Sequence, residues 1–193
     1  MRAADLMTRK VLTVLPRTTV RAAAKALAGN GFTTLPVVGD DGVLVGVVTE
    51  ADVIRNRIPS DPSSRRVAQP PAPTTVGEIM TAPAMTLPPS TDVAELAGFM
   101  LRTGIRSVPI VDGSSLVGIV TRRDLVRSLA RDDVDLATDV RHRLELYGGP
   151  GRWQVEVRRG RVTIHDERDD PVDAHVAKII ALAVLGVEFA KVV

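Results

Sequence analysis

"GVVTEAD" (46–52) and "GIVTRRD" (118–124) are two copies of one pattern: Gly, two β-branched residues, then Thr-x-x-Asp. Thr-x-x-Asp is the residue order of a capping box, in which hydroxyl and carboxylate satisfy backbone N–H groups at a helix start. One copy would mark the beginning of a helix and little else. Two copies point to a longer duplication, which extends outward from both. Met7-Thr8 recurs as Met80-Thr81, Thr13 as Thr86, Pro16 as Pro89, Gly31 as Gly104 and Pro36 as Pro109, each 73 residues on. One residue is lost in a turn, after which Gly46, Thr49 and Asp52 recur as Gly118, Thr121 and Asp124. Internal repetition of this extent decides the architecture before any single element does.

Each repeat gives the same order of elements. An extended stretch over 11–15 ends at Pro16, and Thr18 or Thr19 caps a helix with Val20, Ala23, Ala24 and Leu27 on one face. Gly29-Asn30-Gly31 stops that helix. "TTLPVV" and "VLVGVV" predict two strands around the turn "GDDG", and Thr49 opens a second helix carrying Val53 and Ile54. In the second repeat Val93, Leu96, Ala97 and Met100 line the first helix, and Leu125, Val126 and Leu129 the last.

Between the repeats, "NRIPSDPSSRRVAQPPAPTTV" (56–76) concentrates proline and serine and reads as an extended linker, with Arg65-Arg66 solvated. After about Asp132 the character changes. "DDVDLATDVRHRLELY" has helical spacing at Leu136, Val140 and Leu144; "WQVEV" and "RVTIH" alternate around Arg159-Gly160 as a hairpin. "DAHVAKIIALAVL" is a further helix, stopped at Gly186, and "VEFAKVV" a closing strand. The boundaries are therefore 1–58 and 77–131 for the repeats, 59–76 for the linker and 132–193 for a small αββαβ domain.

Several functions are disfavoured by composition. The chain has 193 residues, 45% hydrophobic but only 3% aromatic, so its core is built from Val, Leu, Ile and Ala. The net charge of +2 supplies no concentrated basic face, and nucleic acid is not an expected partner. With no cysteine there is no disulfide, thiol nucleophile or thiolate metal site, which suits a reducing cytoplasm. The N-terminus lacks a signal-like apolar stretch, and the longest apolar run, "IIALAVLGV" (179–187), is too short to span a bilayer. A soluble, cytoplasmic protein is expected. His142, His165 and His175 have no metal-ligand spacing, and neither a Gly-x-x-x-x-Gly-Lys loop nor a Gly-x-Ser-x-Gly elbow occurs. No catalytic residues and no metal site are expected, and hence no enzyme.

The duplicated pattern resembles a tandem pair of CBS domains, the regulatory modules of cystathionine β-synthase, IMP dehydrogenase and chloride channels. The resemblance covers 5–57 and 78–131 and rests on Met-Thr, Gly-x-x-x-x-Pro and Gly-x-x-Thr-x-x-Asp taken together. It implies a mixed α/β (α+β) fold with pseudo-twofold symmetry and two related clefts that take adenosine-containing ligands. AMP, ADP or ATP is the expected ligand, with S-adenosylmethionine or NAD as further candidates and no obligatory cofactor. Carried over, one cleft joins Thr13, Thr33, Thr34 and Leu35 to Thr121, Arg123 and Asp124; its twin joins Thr86, Arg106, Ser107 and Val108 to Thr49 and Asp52. An aspartate there would hold the ribose diol, the alternative being that it serves only the cap. Arg122 and Arg123, against Glu50 and Ala51, would make the Asp124 cleft the better phosphate site.

The tail more loosely resembles a BON domain, departing from it where Asp166 follows His165 in place of the usual Gly. Such domains are proposed to contact phospholipid or mediate attachment. Here the apolar face of 176–185 reads first as core, and membrane contact is the lesser expectation. The helices "RAAAKALA" (21–28) and "ELAGFMLR" (95–102) are apolar on more than one face, which predicts a homodimer. Two functions remain open. One is a nucleotide sensor whose tail reports occupancy; the other is a ligand-free dimeric scaffold that presents the tail to a protein or membrane-surface partner.

Overall fold

A computed structural model describes residues 1–55, 73–168 and 170–193. They divide into two compact units, Arg2–Arg122 and Arg123–Val193, the latter taking in Met1.

In the first unit the duplication is visible element by element. The first repeat comprises α1 (Ala3–Leu6), α2 (Val20–Asn30), β1 (Thr34–Val38), β2 (Leu44–Thr49) and α3 (Glu50–Ile54). The second comprises a 3-10 turn (Val76–Glu78), α4 (Val93–Thr103), β3 (Ser107–Asp112), β4 (Ser115–Thr121) and the start of α5 (Arg122–Leu129). Thr19 caps α2 by accepting from Ala22 N, and Gly31 ends it with φ of 64°. Only glycine adopts that left-handed conformation without steric cost. Val20, Ala23 and Leu27 are buried on α2, and Val93, Leu96 and Met100 on α4, as the helical spacing predicts. Each hairpin is antiparallel, with Thr34 opposite Thr49 and Ser107 opposite Thr121. The extended stretch before each first helix adds a parallel bridge, Val14 to Val37 and Leu87 to Ile110.

The two repeats exchange their N-terminal segments. Thr8 pairs with Ile119 of the second repeat, and Thr81 with Val47 of the first. Ala3 N donates to Thr91 O at 2.8 Å, and its counterpart Val76 N to Thr18 O at 2.8 Å. This explains two motifs at once. A Cβ on Gly118 would lie 2.5 Å from Met7 Sδ, and one on Gly46 would lie 2.8 Å from Thr81 O and 3.0 Å from Met80 Sδ. Met-Thr of one repeat and Gly of the other are the two sides of one close approach. The exchange also draws in residues read as linker: Val76 is fully buried with Leu27, Leu35, Val37 and Val48. The rest of that stretch through residue 72, including Arg65-Arg66, lies outside the described residues.

The second unit contains most of α5, then α6 (Asp133–Gly148), β5 (Trp153–Arg158), β6 (Arg161–Asp166), α7 (Pro171–Leu182) and β7 (Phe189–Val192). Its sheet runs β5-β6-β7, the first pair antiparallel and the second parallel. Leu136, Val140 and Leu144 of α6 pack with Ala177 and Ala181 of α7 against Trp153, Val162 and Ile164. Arg159 and Gly160 both have positive φ, 52° and 71°, as a two-residue hairpin turn of primed type requires. The carboxylate of Asp133 accepts from their N–H groups at 2.6 and 2.9 Å.

Two sequence expectations are corrected here. Helix α7 stops at Leu182, with Ala183 as its C-cap, rather than running to Gly186. On α5, Val126 and Leu129 are exposed and Ser128 is the buried residue. Gly186 comes so close that a Cβ there would sit 3.2 Å from Ser128 O, which leaves no room for a large side chain. Among the described residues no helix is long and apolar enough to cross a membrane.

Candidate functional site

The first unit holds a cavity of about 550 Å³, within the ordinary size of a small-molecule site. Its polar lining comes from the starts of β1 and β3 and the end of β2: Thr33, Thr34, Arg106, Ser107 and Thr49. Strand register places them together, because Thr34 lies opposite Thr49. Between the two repeats, Thr33 Oγ1 approaches Ser107 Oγ at 3.5 Å. Glu50 N donates to Thr33 O at 3.2 Å and joins the start of α3 to the same floor. Thr103, Gly104 and Ile105 close one side at the end of α4. Val47, Pro83, Met85 and Pro109 supply the apolar walls. A flat apolar group between these walls would meet several hydroxyls and one guanidinium at its edge.

The Thr-x-x-Asp motif of the first repeat forms its capping box. Asp52 Oδ2 accepts from Thr49 N at 2.9 Å and from Thr49 Oγ1 at 2.7 Å. Thr49 Oγ1 accepts in turn from Asp52 N at 3.3 Å. Asp52 is 8% exposed, so its carboxylate fixes Thr49 from beneath while Thr49 faces the cavity.

The CBS-domain family matches residues 3–58 and 76–131, more than half of the chain and the two segments that form the duplicated unit. The chain belongs to the CBS-domain family. The CBS domain-containing protein YhcV of Bacillus subtilis is 32% identical over 140 residues, covering 72% of this chain and 94% of its own length. Relatives differ in size, and the chain spans only 34% of a Methanocaldococcus jannaschii protein, MJ1404, that it matches at 32% identity. Among solved structures, the CBS pair of protein MJ0100 in complex with 5′-methylthioadenosine and S-adenosylmethionine is similar at 28% identity. It has a TM-score of 0.55 and covers 66% of this chain and 94% of that one. CBSX2 in complex with AMP is similar at 29% identity and a TM-score of 0.55, covering 67% and 96%. The family match ends at residue 131, so the αββαβ tail lies outside it.

In this CBS pair the cavity gathers residues that the resemblance divides between two clefts. Thr33 and Thr34, assigned with Asp124, line the same cavity as Thr49, Arg106 and Ser107. Leu35 and Val108 are core residues, 1% and 0% exposed. Thr13 and Thr86 precede the bridging residues Val14 and Leu87 and do not line the cavity, and neither does Thr121, which pairs with Ser107. Arg123 and Asp124 fall in the second unit. There the Asp124 carboxylate lies 3.5 Å from Arg127 Nη1.

Arg122 is corrected. Its Nη2 donates to Met100 O at 2.7 Å and its Nε to Ile105 O at 3.1 Å. The guanidinium therefore satisfies carbonyls at the end of α4, a favourable place for a cation, and is not directed at a phosphate. Thr81, Pro83 and Met85 were not foreseen in the cavity. Their signal was the Met80-Thr81 motif itself, which the segment exchange carries onto Val47 and Gly46.

The second unit holds one dense ionic cluster. Arg152 donates to both oxygens of Asp166 at 2.7 and 2.6 Å, and its Nη1 lies 2.7 Å from Asp173 Oδ2. Tyr147 Oη donates to Asp173 Oδ1 at 2.8 Å, and the Arg152 guanidinium lies 4.2 Å from the Trp153 ring centroid. The Arg152 hydrogen bonds hold Asp166 below the ordinary carboxylate range, and those of Tyr147 and then Arg152 do the same for Asp173. Asp166 thus ends β6 in a bidentate pair with Arg152. Among the described residues no group of three His, Cys, Asp or Glu side chains is placed to hold a metal.

Proposed function

We propose that the protein is a cytoplasmic, non-enzymatic regulator that binds an adenosine-containing ligand in its CBS pair and relays occupancy through the C-terminal unit. The observation that carries this reading is the cavity itself. Hydroxyls from both repeats and one guanidinium rim apolar walls, an arrangement suited to a nucleoside and its 5′ substituent. The complexes of MJ0100 and CBSX2 with adenosine compounds support the same class. Asp52 would hold Thr49 in place and offer its second oxygen to a ribose hydroxyl. The tail, with its BON-like αββαβ order, is the natural output module.

A thermal-shift panel of AMP, ADP, ATP, NAD and S-adenosylmethionine on ligand-free full-length protein tests this. A ligand at a hundred times its dissociation constant adds about 2.7 kcal/mol to stability. No shift with any member refutes the reading and leaves the scaffold alternative.

Dimerisation through the CBS helices belongs to the same proposal. Leu101 on α4 is 71% exposed although it lies on a mostly apolar helix, and a second copy would cover it. Light scattering at micromolar concentration is expected to give twice the chain mass. A monomer with an intact fold refutes dimerisation alone.

A further inference from the structure

Among the described residues, Glu50 and Arg106 are the only ionisable side chains that line the CBS cavity. No ion pair or side-chain hydrogen bond joins either of them to another described residue. Both arise where the repeats differ. The backbone bond from Glu50 N to Thr33 O has its counterpart in Arg122 N to Arg106 O, so Glu50 stands where the other repeat has Arg122, and Arg106 where it has Thr33. Arg122 is spent on the carbonyls of Met100 and Ile105. The cavity therefore keeps one uncommitted carboxylate and one uncommitted guanidinium, linked across its floor by the contact between Thr33 and Ser107.

A triphosphate brings several negative charges to this rim. It would gain one guanidinium and meet one like-charged carboxylate, whose repulsion offsets part of that gain. A tail with both an ammonium and a carboxylate meets neither penalty. Its carboxylate pairs with Arg106 in the planar geometry that guanidinium favours, and its ammonium pairs with Glu50. Met85, Pro83 and Pro109 offer an apolar wall to the methyl group on the sulfur between sugar and tail, and the positive charge of that sulfonium is likewise compatible with Glu50.

Resting on the adenosine reading above, we propose that Glu50 makes this cavity selective for an adenosine with an amino-acid tail on its 5′ sulfur, of the S-adenosylmethionine type, over nucleoside polyphosphates.

The test is calorimetric titration of the full chain with S-adenosylmethionine, 5′-methylthioadenosine, AMP and ATP. It uses the wild type, Glu50→Gln and Arg106→Gln. Glu50 is exposed, so its substitution does not put the fold at stake. Wild type is expected to bind S-adenosylmethionine at least about tenfold tighter than ATP, the scale of one charge pair near a protein surface. Glu50→Gln should move the ratio toward ATP by a similar factor, and Arg106→Gln should weaken S-adenosylmethionine more than 5′-methylthioadenosine. ATP binding as tightly as S-adenosylmethionine in the wild type, or a ratio unchanged by Glu50→Gln, overturns the proposal while the nucleotide reading stands. Silence from all four compounds removes the nucleotide reading itself.

Discussion

In the CBS pair, the hydroxyls of Thr33, Thr34, Thr49 and Ser107 and the charges of Glu50 and Arg106 line a cavity. In the C-terminal unit, Arg152 is saturated by Asp166 and Asp173, stacked on Trp153, and enclosed to 7% exposure. Both clusters contain groups that a search for functional residues would select. Partnership separates them. A buried arginine with two carboxylates and an aromatic face has nothing left to offer a ligand, and its removal would strand the buried carboxylate of Asp166. The cavity side chains have capacity in reserve, and that is what a binding site needs.

Acid should break this comparison most widely. Four carboxylates of the second unit are held below their ordinary range: Asp166 and Asp173 by the hydrogen bonds above, and Asp133 by the N–H groups of Gly160 and Arg159. For Asp139, burial pushes upward, but hydrogen bonds and charge from Arg131 and Arg143 together outweigh it. In the first unit Glu78 is lowered by the N–H groups of Thr75 and Thr74. A depressed carboxylate contributes stability that is complete above its unfolded value of about 3.9–4.3 and is lost as pH falls through the folded value. The C-terminal unit is therefore expected to lose structure at a higher pH than the CBS pair. Trp153 is the sole tryptophan and lies in that unit's core, so its fluorescence follows the unit directly. Loss of the circular dichroism of the CBS pair before the Trp153 signal changes would contradict this.

A sharper comparison lies between the two repeats. The Cβ of Gly46→Ala would strike a backbone carbonyl, Thr81 O, whereas that of Gly118→Ala meets the Met7 side chain. Overpacking of this kind costs about 1–3 kcal/mol. Gly46→Ala should fall at the upper end because a paired strand cannot yield, and Gly118→Ala at the lower. Met7→Ala should recover much of the Gly118→Ala loss, and Met80→Ala little of the Gly46→Ala loss. Denaturant titration of singles and doubles measures both couplings; equal rescue in the two repeats would count against the difference.

What could be read before any coordinates follows the same division. The duplication, the helices capped by Thr19 and stopped by Gly31, and the hairpin at Arg159-Gly160 are local, and local chemistry specifies them. The segment exchange is not local. No pattern within one repeat tells that Met7 rests on Gly118, or that Val76 closes the other repeat's core. For the same reason no motif within one repeat tells that the exchange brings Thr81 and Met85 beside Thr33 and Thr34. The role of Arg122 is hidden from the sequence because its partners, Met100 O and Ile105 O, are backbone atoms, which no motif records. Asp166 stands in the sequence as one more acid at a strand end, and its pairing with Arg152, 14 residues earlier, is visible only in the fold.

The smallest expected effect concerns the motif that decides the fold. Thr49→Ala removes a hydroxyl that donates to Asp52 Oδ2 and accepts from Asp52 N. The loss of such a cap costs about 0.5–2 kcal/mol. Asp52→Asn is gentler, because an amide oxygen still accepts from Thr49 N while the negative charge and one acceptor are lost. If Asp52 only caps, both substitutions lower stability, and adenosine affinity follows Thr49 alone through its place in the cavity. If the second carboxylate oxygen also holds a ribose hydroxyl, Asp52→Asn lowers affinity about tenfold in addition to the small loss of stability, as for one hydrogen bond to a charged group. Calorimetry with 5′-methylthioadenosine, which has no phosphate to complicate the charge, separates the two. An unchanged affinity in Asp52→Asn would assign the aspartate of this motif to the helix and leave recognition to the threonine in front of it.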